Sequence, residues 1–310
     1  MERIIGTYEG EQPGHLLICT AGLHGNELAG IKALQYVFKM LEVEHITNPD
    51  FHFHGRIVGL AGNLGAMAAG KRFLNQDMNR MWMPDNVERI RNSPPQLLGA
   101  EERELRDIIH HLETEFHHLP DAPIVVMDIH TTTAEGGIFC IATEDPESVR
   151  VASELHAPVI LGMLDGIRGT TMHYFRRQVI PRDITAFAFE AGQHEDPKSV
   201  NRAIAAVIAC MRALDMIDPE HVESVHDRVL IDYAKGLPRI AELIQAYQIQ
   251  DETTFEILPG FQNFQPVSKG QLIAYDAGQE IRALDDGLIL MPRYQKQGDD
   301  GYFLLKVLVD

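Results

Sequence analysis

Apolar and polar positions along this chain follow two alternating rhythms. Leu16-Leu17-Ile18-Cys19 is a continuous apolar run, which predicts a buried strand. Soon after it, Leu28, Ile31, Leu34, Tyr36, Val37, Phe38 and Leu41 recur at helical spacing, predicting an amphipathic helix. The exchange repeats downstream. Residues 51–59 read as a strand with Phe51, Phe53, Ile57 and Val58 apolar and with His52 and His54 on the alternate face. Residues 97–119 read as a helix whose acids come early (Glu101, Glu102, Glu104) and whose histidines come late (His117, His118), the order favoured by the helix dipole. Residues 123–129, 137–142, 157–161 and 184–189 read as further strands, with helices over 146–155 and 196–215, and 1–8 as an edge strand or arm. Strands interleaved with helices predict an α/β fold.

Three stretches lack either rhythm. Residues 63–82 and 164–182 are polar without a period, and 85–95 is polar with prolines; each is expected to be loop. Past Asp218-Pro219 the character changes. Residues 221–235 suit a helix or an extended segment equally. From Arg239 onward, short apolar runs are separated by turn clusters such as Leu258-Pro259-Gly260, Ser268-Lys269-Gly270 and Asp285-Asp286-Gly287, which predicts a small all-β domain. The expected division is an α/β domain over 1–220 and a β domain over 236–310, with the boundary near 218–236.

Composition narrows the classes. A chain of 310 residues that is 45% hydrophobic can bury a substantial core without disulfide staples. Its three cysteines, Cys19, Cys140 and Cys210, are far apart and lie in apolar segments. They are expected to be buried free thiols, which argues against a zinc–thiolate site and for a reducing, cytoplasmic setting. No secretory signal and no apolar run of membrane-spanning length is evident. The formal charge of −18 argues against nucleic acid and anionic membranes as partners; a homo-oligomer is compatible with it. An anionic substrate would need local positive charge.

Candidate chemistry sits where the rhythms change. Gly22-Leu23-His24-Gly25-Asn26-Glu27 lies between the first buried strand and its helix, where an open α/β sheet places its ligand crevice. His24 and Glu27 can reach one cation there; zinc accepts both ligand types and in catalytic sites takes about three protein ligands plus water. His130 ends the strand Pro123–Ile129 at the same edge, with Asp128 placed to orient a ligand; a core histidine is the bland alternative. Arg72, Asp77, Asn79 and Arg80 fall in the 63–82 loop, which could equally be a solvated loop with surface ion pairs. Glu190 ends another apolar run, where burial would raise its proton affinity and suit a general base, or where it could sit in a salt bridge. The cluster His110, His111, His117 and His118 reads as a helix surface.

Taken together, Gly22-Leu23-His24-Gly25-Asn26-Glu27, Arg72 with Asp77-Met78-Asn79-Arg80, Asp128-Ile129-His130-Thr131-Thr132 and Phe189-Glu190-Ala191-Gly192 resemble the succinylglutamate desuccinylase/aspartoacylase family of the zinc carboxypeptidase clan. The resemblance runs from about residue 16 to 215. It implies a zinc-carboxypeptidase-like mixed sheet flanked by helices and one zinc ion per chain held by His24, Glu27 and His130. It implies that Glu190 assists the attacking water, that Arg72 polarises the scissile carbonyl, and that Asn79 and Arg80 grip a substrate carboxylate. Further substrate contacts are implied from Tyr174, Arg168, Arg176 or Arg177, and from Tyr275 or Tyr294. The function it implies is hydrolysis of the amide of a small N-acyl amino acid; alternatives are a zinc carboxypeptidase acting on a peptide and a zinc-binding module without catalysis.

Overall fold

A computed structural model describes residues 1–176, 178–218 and 225–310 of the chain. In order, the elements are β1 (Ile4–Glu9), β2 (Gln12–Ala21), α1 (Ala29–Thr47), β3 (His54–Ala61), α2 (Leu64–Ala69), α3 (Pro84–Asn92), α4 (Ala100–His118) and β4 (Ile124–Thr132). Then come β5 (Phe139–Ala142), α5 (Pro146–Ser153), β6 (Val159–Leu161), α6 (Met163–Gly166), α7 (Thr171–Tyr174), β7 (Ile184–Gln193), α8 (Lys198–Ala213) and α9 (Val225–Ala234). The remainder is extended: β8 (Ile240–Gln248), β9 (Glu256–Ile257), β10 (Gln265–Val267), β11 (Leu272–Asp276), β12 (Gln279–Arg282), β13 (Gly287–Leu290) and β14 (Asp300–Val309). Short 3-10 turns cover Met78–Arg80 and Pro95–Leu97.

Eleven strands form one mixed sheet in the order β1-β3-β2-β4-β7-β5-β6-β8-β14-β13-β10. Its centre, β3-β2-β4-β7, is parallel, while β1 and β5 join antiparallel. The period of two along each central strand feeds two cores. Leu17, Cys19 and Ala21 of β2, Val125, Met127 and Ile129 of β4, and Phe187, Phe189 and Ala191 of β7 pack under α1, α5, α8 and α9. Leu16, Ile18, Ile124, Val126, Ile184 and Ala186 face α3 and α4. Burial of each such Leu, Ile or Phe side chain contributes about 1.5–3 kcal/mol. The parallel strands are thus covered on both faces, which explains their unbroken apolar runs. Cys19, Cys140 and Cys210 are buried free thiols.

The C-terminal region is rich in strands, and several of them continue the large sheet. β8 pairs in parallel with β6, and β14, β13 and β10 follow, so the sheet runs on through the residues that the sequence assigns to a second domain. Phe264, Leu290, Phe303 and Leu305 pack with Phe139, Ile141 and Ile160. A separate three-stranded sheet, β12-β11-β9, caps this end. Part of 221–235, left undecided by sequence, is the helix α9; residues 219–224 and Arg177 lie outside the described residues.

Three expected loops contain helices. Within 63–82, α2 forms because Asn63 Oδ1 accepts from Ala66 N at its start and Gly70 closes it at φ 61°. Within 85–95, α3 begins on Pro84 at its first turn, where proline's missing N–H costs nothing. The 164–182 loop holds the four-residue helices α6 and α7. His52 and His54 are exposed, as are His110, His117 and His118. Among the described residues, no helix is long and apolar enough to cross a membrane.

Candidate metal centre and active site

The carboxyl ends of β2, β4 and β7 meet at one edge of the sheet. On β4 the positions facing α4 run Ile124, Val126, and then Asp128 and His130; on β7 they run Ile184, Ala186, Ala188 and then Glu190. The same period of two that builds the core therefore delivers three ionisable side chains to one end. His130 and Glu190 are register partners across β4 and β7, and Thr20 of β2 is the partner of Asp128. Thr20 Oγ1 and Thr171 Oγ1 each donate to Asp128 at 2.7 Å.

His24 and Glu27 come from the turn between β2 and α1. Gly22 takes φ 71°, a conformation costly for other residues. At Gly25 a side chain would collide with the α2 backbone, its Cβ lying 2.3 Å from the Ala66 carbonyl carbon. Gly25 N–H instead donates to Arg72 O at 2.9 Å, and so ties the turn to the loop that carries Arg72.

The result is a tight convergence. His24 Nδ1 lies 2.7 Å from Glu27 Oε1, and His130 Nδ1 lies 3.0 Å from Glu27 Oε2. One ligand atom from each of His24, Glu27 and His130 falls within 4.8 Å of the others, and all three residues are buried. The far nitrogens are backed by carboxylates: His24 Nε2 is 3.1 Å from Asp77 Oδ1. Asp128 Oδ2 is 2.9 Å from His130 Nε2, without the alignment of a hydrogen bond. Backing of this kind orients metal-binding imidazoles.

Charge explains why the centre suits a cation. Three buried carboxylates, Glu27, Asp128 and Glu190, together with the half-buried Asp77, surround two imidazoles, and Arg72 answers them with Nη2–H to Asp77 Oδ2 at 3.0 Å and a longer contact to Glu27. Burial alone would raise the Glu27 and Asp77 carboxyls, but the facing histidines, with Arg72 beside Asp77, hold both well below the usual range. Burial alone would lower His130, but Asp128 and Glu27 raise it well above the ordinary imidazole value. Glu190 is the exception. Burial, assisted by the neighbouring carboxylates of Glu27 and Asp128, pushes it up to about 8. A divalent cation at this point would relieve the excess negative charge, and two imidazoles with one carboxylate match what zinc accepts.

The site opens into a cavity of about 890 Å³, counted to its mouth, a size suited to a small molecule. Arg72 Nε, Glu190 Oε2, His194 Nε2 and Arg293 Nε are buried without a partner among the described residues, and all four residues line this cavity. Unpartnered buried polar atoms are costly and point to a bound group. Asn79 also lines it; its Oδ1 accepts from Thr171 N at 3.1 Å. Arg80 lines it too, but its guanidinium is paired with Asp300, the first residue of β14. Met163, Ile167, Met291 and Phe303 supply an apolar wall.

Several expected contacts lie elsewhere. Tyr294 accepts from Phe261 N at 2.8 Å and donates to Leu258 O at 3.0 Å, and it stays off the cavity between Arg293 and Gln295, which line it. Tyr275 is exposed on β11, and Tyr174 is buried beside Trp82 and accepts from Arg91. Arg168 and Arg176 are exposed and outside the cavity wall. Sequence reading missed Asp77 as the partner of His24, and it missed His194, Arg293 and Asp300 altogether. The one available signal was His194, four residues beyond Glu190 at the end of the same strand.

Comparison with known proteins fits this geometry. The family model for the succinylglutamate desuccinylase/aspartoacylase catalytic domain matches residues 13–214. The succinylglutamate desuccinylase of Pseudomonas syringae pv. tomato is 26% identical over 266 residues, covering 84% of this chain and 72% of that protein. A solved succinylglutamate desuccinylase/aspartoacylase from Rhodobacter sphaeroides superposes with a TM-score of 0.64 at 17% identity, over 98% of this chain and 88% of that one. A solved desuccinylase from Vibrio parahaemolyticus gives 0.62 at 16% identity, over 96% and 84%. With its matched segment spanning every strand end that builds the centre, the chain belongs to the succinylglutamate desuccinylase/aspartoacylase family.

Proposed function

We propose that this protein is a zinc-dependent hydrolase that cleaves the amide of a small N-acyl amino acid to a carboxylate and a free amine. The observation that carries the reading is the convergence of His24, Glu27 and His130 within 4.8 Å beside a protonatable, unpartnered Glu190. His24, Glu27 and His130 would hold the metal, which when bound supplies Lewis-acid strength and acidifies water. Glu190 accepts the proton of the attacking water and returns it to the leaving nitrogen. Its raised affinity suits the second transfer, and a cation at the triad would draw it down toward the first. Arg72 faces the developing oxyanion, an interaction that strengthens as charge builds. Asp77 and Asp128 hold the two imidazoles in orientation. The connection between β13 and β14 and the start of β14 line one side of the cavity, which favours a small amide over a long peptide.

Amine release from N-acetyl, N-succinyl and N-formyl amino acids by the zinc-loaded protein tests this. Hydrolysis should stop on chelation and return with zinc. Glu190→Gln should retain the metal while kcat falls by about 10²–10⁴. Full turnover by metal-free protein, or by Glu190→Gln, refutes the mechanism.

A further inference from the structure

The Arg80–Asp300 pair is a feature that the proposed chemistry does not use. Both residues line the cavity, and each is held in place. Arg80 Nη1 donates to Asn79 O at 2.7 Å, and its charge also faces Asp77. Asp300 opens β14 in register with Gln248, and the next five residues of that strand are buried. Its carboxylate is therefore set in the wall by the sheet itself. Oδ2 meets Arg80, and Oδ1 has no protein partner among the described residues. A substrate that brings only negative charge to Arg80 must approach Asp300 as well, and like charges at close range in a partly buried site repel strongly. The chain's charge of −18 gives it no help. A substrate that brings a carboxylate and a cation together satisfies both residues, with Met163, Ile167 and Phe303 available to cover an intervening methylene stem.

We infer that the amine half of the substrate is a diamino acid or a similar cation-bearing amino acid, its carboxylate placed at Arg80 and its ammonium at Asp300. This rests on the hydrolase reading above, and it assigns Asp300 as a specificity-determining residue. The test compares three probes of one acyl group and similar length, Nα-acetyl-ornithine, N-acetyl-norvaline and N-acetyl-glutamate, on the zinc-loaded protein. The ornithine probe should exceed the glutamate probe at least tenfold in kcat/KM, with norvaline between them. Asp300→Asn should shrink that ratio at least tenfold, through loss on ornithine and gain on glutamate.

Calorimetry with free ornithine, norvaline and glutamate reads the same order whatever acyl group is natural. Glutamate preferred by the parent, equal losses on all three probes in Asp300→Asn, or no binding of any free amino acid overturns the inference. Hydrolysis without this ranking leaves the deacylase reading standing and removes the substrate class. The ranking in calorimetry without hydrolysis of any probe does the reverse.

Discussion

His24 shows how much a single side chain depends on residues far along the chain. Glu27, three positions on, and Asp77, in a different loop, face its two ring nitrogens at 2.7 and 3.1 Å. A neutral imidazole carries one N–H, so two facing carboxylates require further positive charge, and a cation on the Nδ1 side leaves Nε2–H for Asp77. Asp77→Asn should therefore weaken zinc binding about 10–100-fold, read by competition with a chelator; unchanged affinity would remove Asp77 from the centre. Its carboxyl, held below the usual range, also has a pH signature. The stability it contributes is complete above the unfolded aspartate pKa of about 3.9 and drains away as pH falls below it toward the folded value. In the metal-free protein, the parent's advantage over Asp77→Asn should shrink below that pH.

At the scale of elements, the turn between β2 and α1 is the joint that sets the site. Gly25 lets α2 approach until their backbones touch, and that approach brings Arg72 to Glu27. Gly25→Ala should cost about 1–3 kcal/mol through the clash with Ala66, measured by denaturant unfolding of metal-free protein. Equal stability would show that α2 moves aside freely. The main elements could be read in advance because strands buried on both faces leave apolar runs, and polar residues at their ends stand out: His130 and Glu190 both announce themselves this way. α2 was invisible because six residues are too few to show a period, and its existence depends on the caps at Asn63 and Gly70. α3 buries only Val87 and Ile90, so its apolar face is thin, although Pro84 marked its start. The wall contributed by Arg293 and Asp300 could not be read at all, since pairing Arg80 with a residue 220 positions away is a fact of the fold alone.

At the scale of the molecule, one sheet links the two segments that the sequence separates. We propose that residues 1–220 and 236–310 act as a single folding unit joined at β6–β8, because Phe139, Ile141 and Ile160 share a core with Phe303 and Leu305. Residues 1–218 expressed alone would present the β6 edge and this apolar face to solvent, and should aggregate in size-exclusion chromatography. A monomeric fragment with cooperative unfolding would contradict that. All of these levels serve one central claim, that two imidazoles and a carboxylate hold a single metal ion. Elemental analysis of protein purified without added metal, alongside His24→Ala and His130→Ala, tests it most directly. The account predicts about one zinc per parent chain and little in either variant; a metal-free parent that is fully active, or variants that keep their zinc, would contradict it.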